Sequence, residues 1–323
     1  MGSKIATESE EVLISSDKPL LTIIIPALNE AGSIGLVLDE ISKALMDVNY
    51  SVVVVDGNSI DGTDKIAAER DAIVIDQRDS GYGDALLTGF HYARDKLDPL
   101  LIAMMDADMT YDPKDIKVLM EPIVKGDKDL MIGNRLLGIE MEAMSHFNRV
   151  GNRFLSWLVR RFLRVKISDT QCGLRVFRAD ILDSLDLTKG GMQLATEMLV
   201  EAKFSGARIA EEPIRYRPRI GRTKLIPVKD GLLILGTILR LMRDTEPLLF
   251  FGGIGFILGA LGFILGLDVT LQWIITGRVV RMASVVLSVL LIVGAMQFFT
   301  IGLVADMIKG LRKSVKRSLG NYE

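Results

Sequence analysis

The feature that most constrains the fold is a series of four short apolar runs in the first third of the chain. The runs are LLTIIIP, SVVVVDG, AIVID and PLLIAMMD, and segments with apolar residues at helical spacing separate them. Runs that are continuous in apolar residues are typical of strands covered on both faces. Their alternation with helices predicts an α/β fold with a mostly parallel sheet and right-handed crossovers.

A polar cluster follows each of the four runs. ALNE follows the first, DGNSIDGT the second, QRDSGYGD the third and DADMTYDP the fourth. In open parallel sheets, ligands bind at the edge where the strands reach their carboxyl ends. The four clusters are therefore expected to meet at one edge and to form the binding site.

Two carboxylates, Asp106 and Asp108, stand one residue apart after the fourth run. Residues i and i+2 of a strand share a face, so both carboxylates can reach the same ion. Aspartates after a strand also cap helices, so the pair alone does not identify a metal site. One cysteine, Cys172, and two histidines exclude a four-cysteine or histidine-rich centre. Any metal must therefore be held by oxygen ligands, and both Mg²⁺ and Mn²⁺ suit them.

Six motifs, in their order along residues 20 to about 245, resemble the family 2 glycosyltransferases with an A-type nucleotide-sugar fold. They are PALNE, VVVVDGNSIDGT, GYGDALLTGF, DADMTYDP, IGNRL and SDTQCGLRVFRAD. The resemblance is to the subgroup that loads sugars onto polyprenyl phosphates, such as dolichyl-phosphate mannose synthases and their glucosyl relatives. It implies a membrane-bound inverting enzyme that moves one sugar from a nucleotide sugar to dolichyl or polyprenyl phosphate.

The resemblance also implies where the nucleotide-sugar donor binds. The matching residues are Pro26, Ala27, Asn29, Glu30, Asp56, Gln77, Gly83 and Asp84, with Asp106, Ala107 and Asp108 at the diphosphate and its metal. The family's counterpart of Asp56 accepts a hydrogen bond from a nucleobase N–H.

Several of these residues have structural alternatives. Asp56 could cap the next turn, and Glu30 could serve as an N-cap acid. Gln77 and Asp84 could belong to a glycine-rich turn in which Gly81 lets the backbone pass close to the donor. Asp61 is assigned to a turn before a helix that Thr63 is expected to cap.

The acceptor side needs fixed cations. A phosphate monoester is largely dianionic at pH 7, so it can attack the sugar without a general base. The resemblance gives the catalytic set as Asp106, Asp108, Arg135, Arg219 and Lys224, with Arg149, Arg153 and Arg217 as further candidates or as an interfacial face. Asp169 and Gln171 are expected to support the site, and Glu197 is expected to orient it without acting as an essential base.

The C-terminal part is predicted to enter a membrane. Residues 247–267 and 282–305 carry no charge and are long enough to span a bilayer as a helical hairpin. An interfacial amphipathic helix is expected at residues 226–245, and NRVGNRFLSWLVRRFLRV is expected to lie on the membrane surface. Residues 1–19 are expected to be flexible, residues 20–225 to form the catalytic domain and residues 309–323 to form a basic cytoplasmic tail.

Charge predicts the orientation in the membrane. More basic residues flank the outer ends of the hairpin than its connection, which places the catalytic domain in the cytoplasm. The protein is expected to be an integral protein of a prokaryotic plasma membrane. The flanking residues are Lys229, Arg240, Arg243, Lys309, Arg312, Lys313, Lys316 and Arg317, against Arg278 and Arg281. The formal net charge of −2 gives no sign of a nucleic-acid partner.

Three readings of the function remain open. The motifs favour UDP-glucose or UDP-N-acetylglucosamine as donor, and the first alternative is a GDP-mannose-dependent dolichyl-phosphate mannose synthase. The second alternative is a noncatalytic membrane scaffold that binds nucleotide. Small residues in the first apolar run permit helix pairing, so a homo-oligomer is compatible with the sequence.

Overall fold

The computed structural model describes residues 18–137, 146–163, 165–187, 191–221, 227–279 and 281–319. Most of the predicted flexible segment 1–19, the candidate Lys224 and the end of the predicted tail lie outside these residues. The chain divides into two compact units, residues 1–237 and 238–323.

The first unit is built around a seven-stranded sheet. Among the described strands, all are parallel except β6, which runs antiparallel to β4 and β5. The spatial order is β3-β2-β1-β4-β6-β5-β7. The strands are β1 Leu21–Ala27, β2 Tyr50–Asp56, β3 Ile73–Asp76, β4 Leu101–Met104, β5 Leu130–Asn134, β6 Arg175–Arg178 and β7 Ile209–Pro213. The prediction of a mostly parallel sheet is confirmed, and the four apolar runs are β1 to β4.

Helices connect and cover these strands. They are α1 Ile34–Ala44, α2 Thr63–Ala68, α3 Tyr82–Tyr92, α4 Lys114–Val124, α5 His146–Phe162 and α6 Leu194–Phe204. β1 and β4 are almost entirely buried because helices pack on both faces of the sheet. The closest approach is at Gly89 of α3, where a Cβ would lie 2.4 Å from Cγ2 of Ile24.

The start of α2 differs from the prediction. Thr63 is the first helical residue, and Gly62 precedes it in the left-handed conformation with φ of 86°. The Thr63 hydroxyl instead accepts a hydrogen bond from the Glu30 N–H at 2.8 Å. The expected capping role of Thr63 was therefore wrong, because its side chain joins two loops at the sheet edge.

Three helices follow the sheet. α7 spans Pro227–Thr245, α8 spans Pro247–Thr276 and α9 spans Met282–Leu319. Residues 247–276 and 282–311 are each long and apolar enough to cross a membrane, and 11% of the most apolar window of each is buried. α8 and α9 pack through glycines, since a Cβ on Gly255 would lie 2.8 Å from the Ala295 carbonyl oxygen.

Both apolar helices are longer than the uncharged runs that predicted them. α8 continues beyond the predicted run and includes Asp268. The Asp268 carboxylate accepts a hydrogen bond at 2.9 Å from the Gln272 amide one turn later. The helix ends at Gly277, which has φ of 64° and donates its N–H to the Trp273 carbonyl. α9 continues to Leu319, so the first residues of the predicted tail 309–323 are helical.

Candidate active site

The polar strand ends meet at the carboxyl edge of the sheet, as the sequence predicts. In the register of the sheet, Ala27 pairs with Asp56, which in turn pairs with Asp76. The Gly57 N–H donates to the Ala27 carbonyl at 2.8 Å, and the Gln77 N–H donates to the Asp56 carbonyl at 2.9 Å. The edge is therefore continuous from β1 to β3.

Asn29 joins the loops after β1 and β2. It has φ of 49°, its N–H donates to the Ser59 hydroxyl at 2.8 Å, and its side-chain oxygen accepts from the Ile60 N–H at 2.9 Å. The neighbouring Pro26 and Ala27 form the end of β1. Asn29 thus fixes the shape of this part of the edge.

The two carboxylate oxygens of Asp56 have different surroundings. The side chain is 5% exposed, and Oδ2 accepts from the Ser59 N–H at 2.8 Å. Oδ1 is buried and has no hydrogen-bond partner among the described residues. Asp56 therefore caps its turn, and its second oxygen is an acceptor that the described residues leave unsatisfied.

The loop between β3 and α3 is held by its own side chains. The Gln77 amide donates to the Gly81 carbonyl at 2.7 Å, and buried Asp84 accepts from the Asp79 N–H at 2.7 Å. Gly81 has φ of 99°, and Gly83 is buried in the first turn of α3. Gln77 and Asp84 thus shape the loop that borders the site.

Asp106 and Asp108, here the carboxylate pair, lie beyond the end of β4. Asp106 is partly exposed and its Oδ1 accepts from the Tyr82 hydroxyl at 2.8 Å. Asp108 is 7% exposed, and its Oδ1 accepts from the Thr110 N–H at 3.1 Å and from the Thr110 hydroxyl at 2.6 Å. Ala107 between them is buried.

The carboxylate pair concentrates negative charge. Desolvation by the surrounding protein and the charge of Asp108 raise the pKa of Asp106 to about 7, against the opposing effects of the Tyr82 hydrogen bond and of Arg135 and Arg219. Desolvation and the charge of Asp106 raise the pKa of Tyr82 well above its ordinary value, so the phenol remains a donor.

Arg219 reaches the carboxylate pair from the segment after β7. It donates to Glu30 Oε1 at 2.7 Å and lies 3.3 Å from Asp108 Oδ2. Its Nε is buried without a hydrogen-bond partner among the described residues. Glu30 therefore holds a cation at the site and does not cap α1, which has Ser33 at its N-cap.

Backbone hydrogen bonds hold residues 214–221 across the carboxyl edge of the sheet. The Arg217 N–H donates to the Thr110 carbonyl at 2.9 Å, and the Ile220 N–H donates to the Asp108 carbonyl at 3.1 Å. The Arg217 guanidinium pairs with Asp112 at 2.6 Å and with Glu40 at 2.8 Å. Arg217 therefore secures this segment, while Arg219 points to the acids.

Arg135 is engaged by Asp169. Nε and a terminal nitrogen of Arg135 donate to the two Asp169 oxygens at 2.8 and 2.9 Å, and the Asn152 amide adds a bond at 2.8 Å. Asp169 is fully buried, and although desolvation raises its pKa, the Arg135 charge and hydrogen bonds lower the pKa overall. Arg135 also lies over the Tyr216 ring, 5.3 Å from its centroid.

Two features of the candidate site are not predicted from the sequence. Tyr82 contacts Asp106, and Arg175 lies fully buried and donates to the Cys172, Ala195 and Thr170 carbonyls at 3.0, 2.6 and 2.9 Å. Arg175 thus joins the loop before β6 to the first turn of α6. A lone arginine in the apolar run LRVF was the available signal.

The remaining candidate residues lie on other elements or outside the described residues. Glu197 is 6% exposed in the first turn of α6, and the Gln171 amide donates to the neighbouring Thr196 hydroxyl at 2.8 Å. Arg149 and Arg153 lie on α5. Lys224 lies outside the described residues.

The donor chemistry of the carboxylate pair fits a divalent metal ion. Both side chains offer oxygen ligands, the kind that Mg²⁺ and Mn²⁺ prefer, and they stand one residue apart beyond the end of β4. Among the described residues, no third carboxylate, histidine or cysteine joins them. Asp106 and Asp108 would thus supply part of a coordination sphere.

Comparisons with known proteins agree with this geometry. A family model for glycosyl transferase family 2 matches residues 22–186. The low-salt glycan biosynthesis hexosyltransferase Agl6 of Haloferax volcanii is 36% identical over 278 residues, 84% of this chain and 65% of that protein's length. A dolichyl-phosphate hexose transferase of the same organism is 33% identical over 224 residues, 69% of this chain and 94% of that protein.

A solved structure shows the same fold. Glucosyl-3-phosphoglycerate synthase from Mycobacterium tuberculosis, crystallised with Mn²⁺, UDP and glucosyl-3-phosphoglycerate, matches with a TM-score of 0.58. The sequence identity is 21%, and the match covers 76% of this chain and 87% of that chain. The expected A-type fold is therefore confirmed.

Proposed function

The chain belongs to glycosyl transferase family 2, and we propose on that premise that it moves one sugar from a nucleotide sugar to dolichyl or polyprenyl phosphate with inversion at the anomeric carbon. The observation that carries the proposal is the carboxylate pair with Arg219 at the carboxyl edge of the sheet, in a chain with two helices of spanning length. The likeness to a dolichyl-phosphate hexose transferase supports a lipid phosphate as the acceptor.

The donor diphosphate is proposed to lie against the carboxylate pair. Asp106 and Asp108 would hold Mg²⁺ or Mn²⁺, which stabilises the negative charge that develops on a leaving diphosphate. Asp56 offers its free oxygen to a nucleobase N–H. UDP-glucose and UDP-N-acetylglucosamine remain the favoured donors, and GDP-mannose is the alternative.

The acceptor phosphate is proposed to attack the sugar directly. Its second ionisation lies near pH ~6, so at neutral pH the dianion needs no general base. Arg219 is the described cation closest to this chemistry, because it already bridges Glu30 and Asp108. Lys224 is proposed to assist it. Arg135 is proposed to act from its place beside Asp169, where its charge reaches Asp106.

The membrane position is a further part of the proposal. Val150, Phe154 and Trp157 share one face of α5 and are 63%, 50% and 47% exposed. Exposed Arg153, Arg160 and Arg161 accompany them. An apolar face with a basic border suits the surface of an anionic membrane. We propose that α5 and the exposed apolar face of α7 lie on the cytoplasmic surface, with α8 and α9 in the bilayer.

A donor panel tests the reaction. The full chain in nanodiscs is given radiolabelled UDP-glucose, UDP-N-acetylglucosamine or GDP-mannose, with undecaprenyl phosphate, dolichyl phosphate or a soluble sugar alcohol as acceptor. We expect one UDP-sugar to label the lipid phosphates, and we expect chelation of divalent cations to stop the labelling. Labelling of the sugar alcohol without labelling of the lipid phosphates would overturn the proposal that the acceptor is a lipid phosphate.

Tryptophan quenching tests the membrane position. The chain has two tryptophans, so Trp273→Phe leaves Trp157 as the single emitter. In vesicles with brominated lipids, we expect bromine near the glycerol end of the acyl chain to quench Trp157 more than bromine near the methyl end. Equal fluorescence with brominated and unbrominated lipids would contradict a surface-bound α5.

A further inference from the structure

Tyr82 places a hydroxyl group on one oxygen of the carboxylate pair. It is the first residue of α3, and its hydroxyl donates to Asp106 Oδ1 at 2.8 Å across 24 residues of sequence. A hydroxyl that donates to a carboxylate forms a stronger hydrogen bond than one between two neutral groups. The bond thus fixes how the Asp106 carboxylate is turned.

Tyr82 is held in place by the loop before α3 and by the packing of α3 on β1. The preceding Gly81 adopts φ of 99°, and its carbonyl accepts from the Gln77 amide at 2.7 Å. Farther along α3, Gly89 lies so close to Ile24 of β1 that a Cβ there would meet a methyl carbon at 2.4 Å. α3 therefore packs directly on the sheet, and this packing sets the position of the Tyr82 hydroxyl.

The other oxygen of Asp106 is confined from the opposite direction. A Cβ on Gly173 would lie 2.9 Å from Asp106 Oδ2 and 3.1 Å from the Tyr111 hydroxyl. The Gly173 N–H donates to that hydroxyl at 2.8 Å, which holds the glycine in place. Asp106 thus has a hydrogen-bond donor on Oδ1 and a close backbone beside Oδ2.

From this arrangement we propose that Tyr82 is a positioning residue that orients Asp106 for the divalent cation of the donor complex. The inference rests on the proposed function, because it requires a metal at the carboxylate pair. Groups that hydrogen-bond to metal ligands fix ligand orientation, and their loss typically weakens metal binding or activity about 10- to 100-fold. Tyr82 also joins the loop after β3, which borders the donor site, to the metal ligand.

Mn²⁺ binding measured by electron paramagnetic resonance tests the role directly. The full chain in nanodiscs is titrated with Mn²⁺ in the presence of UDP, for the wild type and for Tyr82→Phe, Tyr92→Phe and Asp106→Asn. Tyr92→Phe is the matched control, since it removes the same hydroxyl from the last residue of α3, about 15 Å along the helix axis. Asp106→Asn reports whether the signal comes from this site.

We expect Tyr82→Phe to weaken Mn²⁺ binding about tenfold and Tyr92→Phe to leave it unchanged. In transfer assays, the Mn²⁺ concentration for half-maximal rate should rise about tenfold in Tyr82→Phe, while the rate at saturating Mn²⁺ stays within about threefold of the wild type. A structural defect would instead lower the rate at every Mn²⁺ concentration.

The outcomes separate the two proposals. Wild-type affinity in Tyr82→Phe, together with lost binding in Asp106→Asn, overturns the positioning role and leaves the proposed function intact. Absence of Mn²⁺ binding in the wild type overturns both. A transfer rate that falls equally at every Mn²⁺ concentration in Tyr82→Phe, with wild-type Mn²⁺ affinity, assigns the hydroxyl to folding alone and also overturns the positioning role.

Discussion

The sheet edge of the first unit and the α8–α9 pair of the second are held together in different ways. At the edge, buried charged groups such as Asp108, Asp169 and Arg175 are fixed by directional hydrogen bonds. Among the described residues of α8 and α9, Ser288 is the buried polar side chain, and contact is made through Gly255 and Gly262. Directional hydrogen bonds hold the sheet edge together, and close backbone approach holds the α8–α9 pair together.

The difference follows from what surrounds each region. At the edge, charges taken out of water must find partners, so each loss of a partner leaves a costly unsatisfied group. In the membrane position proposed for α8 and α9, the surrounding lipid is as apolar as their side chains, so packing of small residues supplies much of their association. The edge should therefore be sensitive to isosteric polar changes, and the helix pair to the addition of a single methyl group.

The largest effect is expected from Asp108→Asn. This change keeps the shape of the side chain and removes one charge of the carboxylate pair, so several kcal/mol of stabilisation of the leaving diphosphate is lost. We expect transfer to fall about 10³-fold, measured as initial rate at saturating donor. The exposed carboxylate of Asp127 provides the control, and Asp127→Asn should keep the wild-type rate. Similar rates in the two variants would refute the assignment.

A smaller effect, on stability, is expected from Asp169→Asn. Arg135 would remain largely buried beside a neutral partner, and breaking such a pair costs about 3 kcal/mol. Thermal unfolding of the first unit, followed by circular dichroism, measures the loss. Asp180→Asn breaks a pair with Arg178 that is more exposed, and we expect less than about 1 kcal/mol there. Equal shifts of the unfolding temperature in the two variants would mean that burial does not determine the loss of stability when an ion pair is broken.

In the helix pair, Gly255→Ala should cost about 1 to 3 kcal/mol. Its Cβ would lie 2.8 Å from the Ala295 carbonyl oxygen, a backbone atom that has little room to move. Gly253→Ala is the matched control, since nothing lies within 4 Å of its Cβ position. Unfolding by sodium dodecyl sulfate in mixed micelles compares the two. If both variants unfold at the same detergent fraction, glycine packing does not hold the pair.

The smallest effect is expected from Glu197→Gln. If the acceptor phosphate attacks as a dianion, no general base is required, so transfer should fall by less than about tenfold. The assay is transfer to lipid phosphate at saturating donor and metal. A loss as large as that of Asp108→Asn would make Glu197 essential and would favour a hydroxyl acceptor.

Much of the fold follows from local sequence patterns. Strands β1 to β4 match the four apolar runs, α1 and α3 lie in the segments between them, and α7 matches the helix expected at residues 226–245. A continuous apolar run or a helical repeat identifies an element without its neighbours. The antiparallel placement of β6 between β4 and β5 has no local signature. It depends on which strands bury each other's faces, and that is a property of the whole sheet.

The site shows the same division. The carboxylate pair and the polar strand ends were predictable, because parallel strands deliver their carboxyl ends to one edge. The contact from Tyr82 to Asp106 and the three carbonyl bonds of Arg175 were not, because they join residues that are distant in sequence. Arg135 and Arg219 look alike as basic residues, yet one pairs with Asp169 and the other with Glu30 and Asp108.

The sequence by itself determined the class of fold, the edge of the sheet where the polar strand ends meet, the acidic residues there and the two helices long enough and apolar enough to cross a membrane. These depend on hydrophobic period, chain direction and length, which are local quantities. Only the tertiary structure decided which cation meets which carboxylate and which glycine touches a neighbouring backbone. Such pairings depend on distances of a few ångströms between segments far apart in the chain, and packing of the whole unit sets those distances.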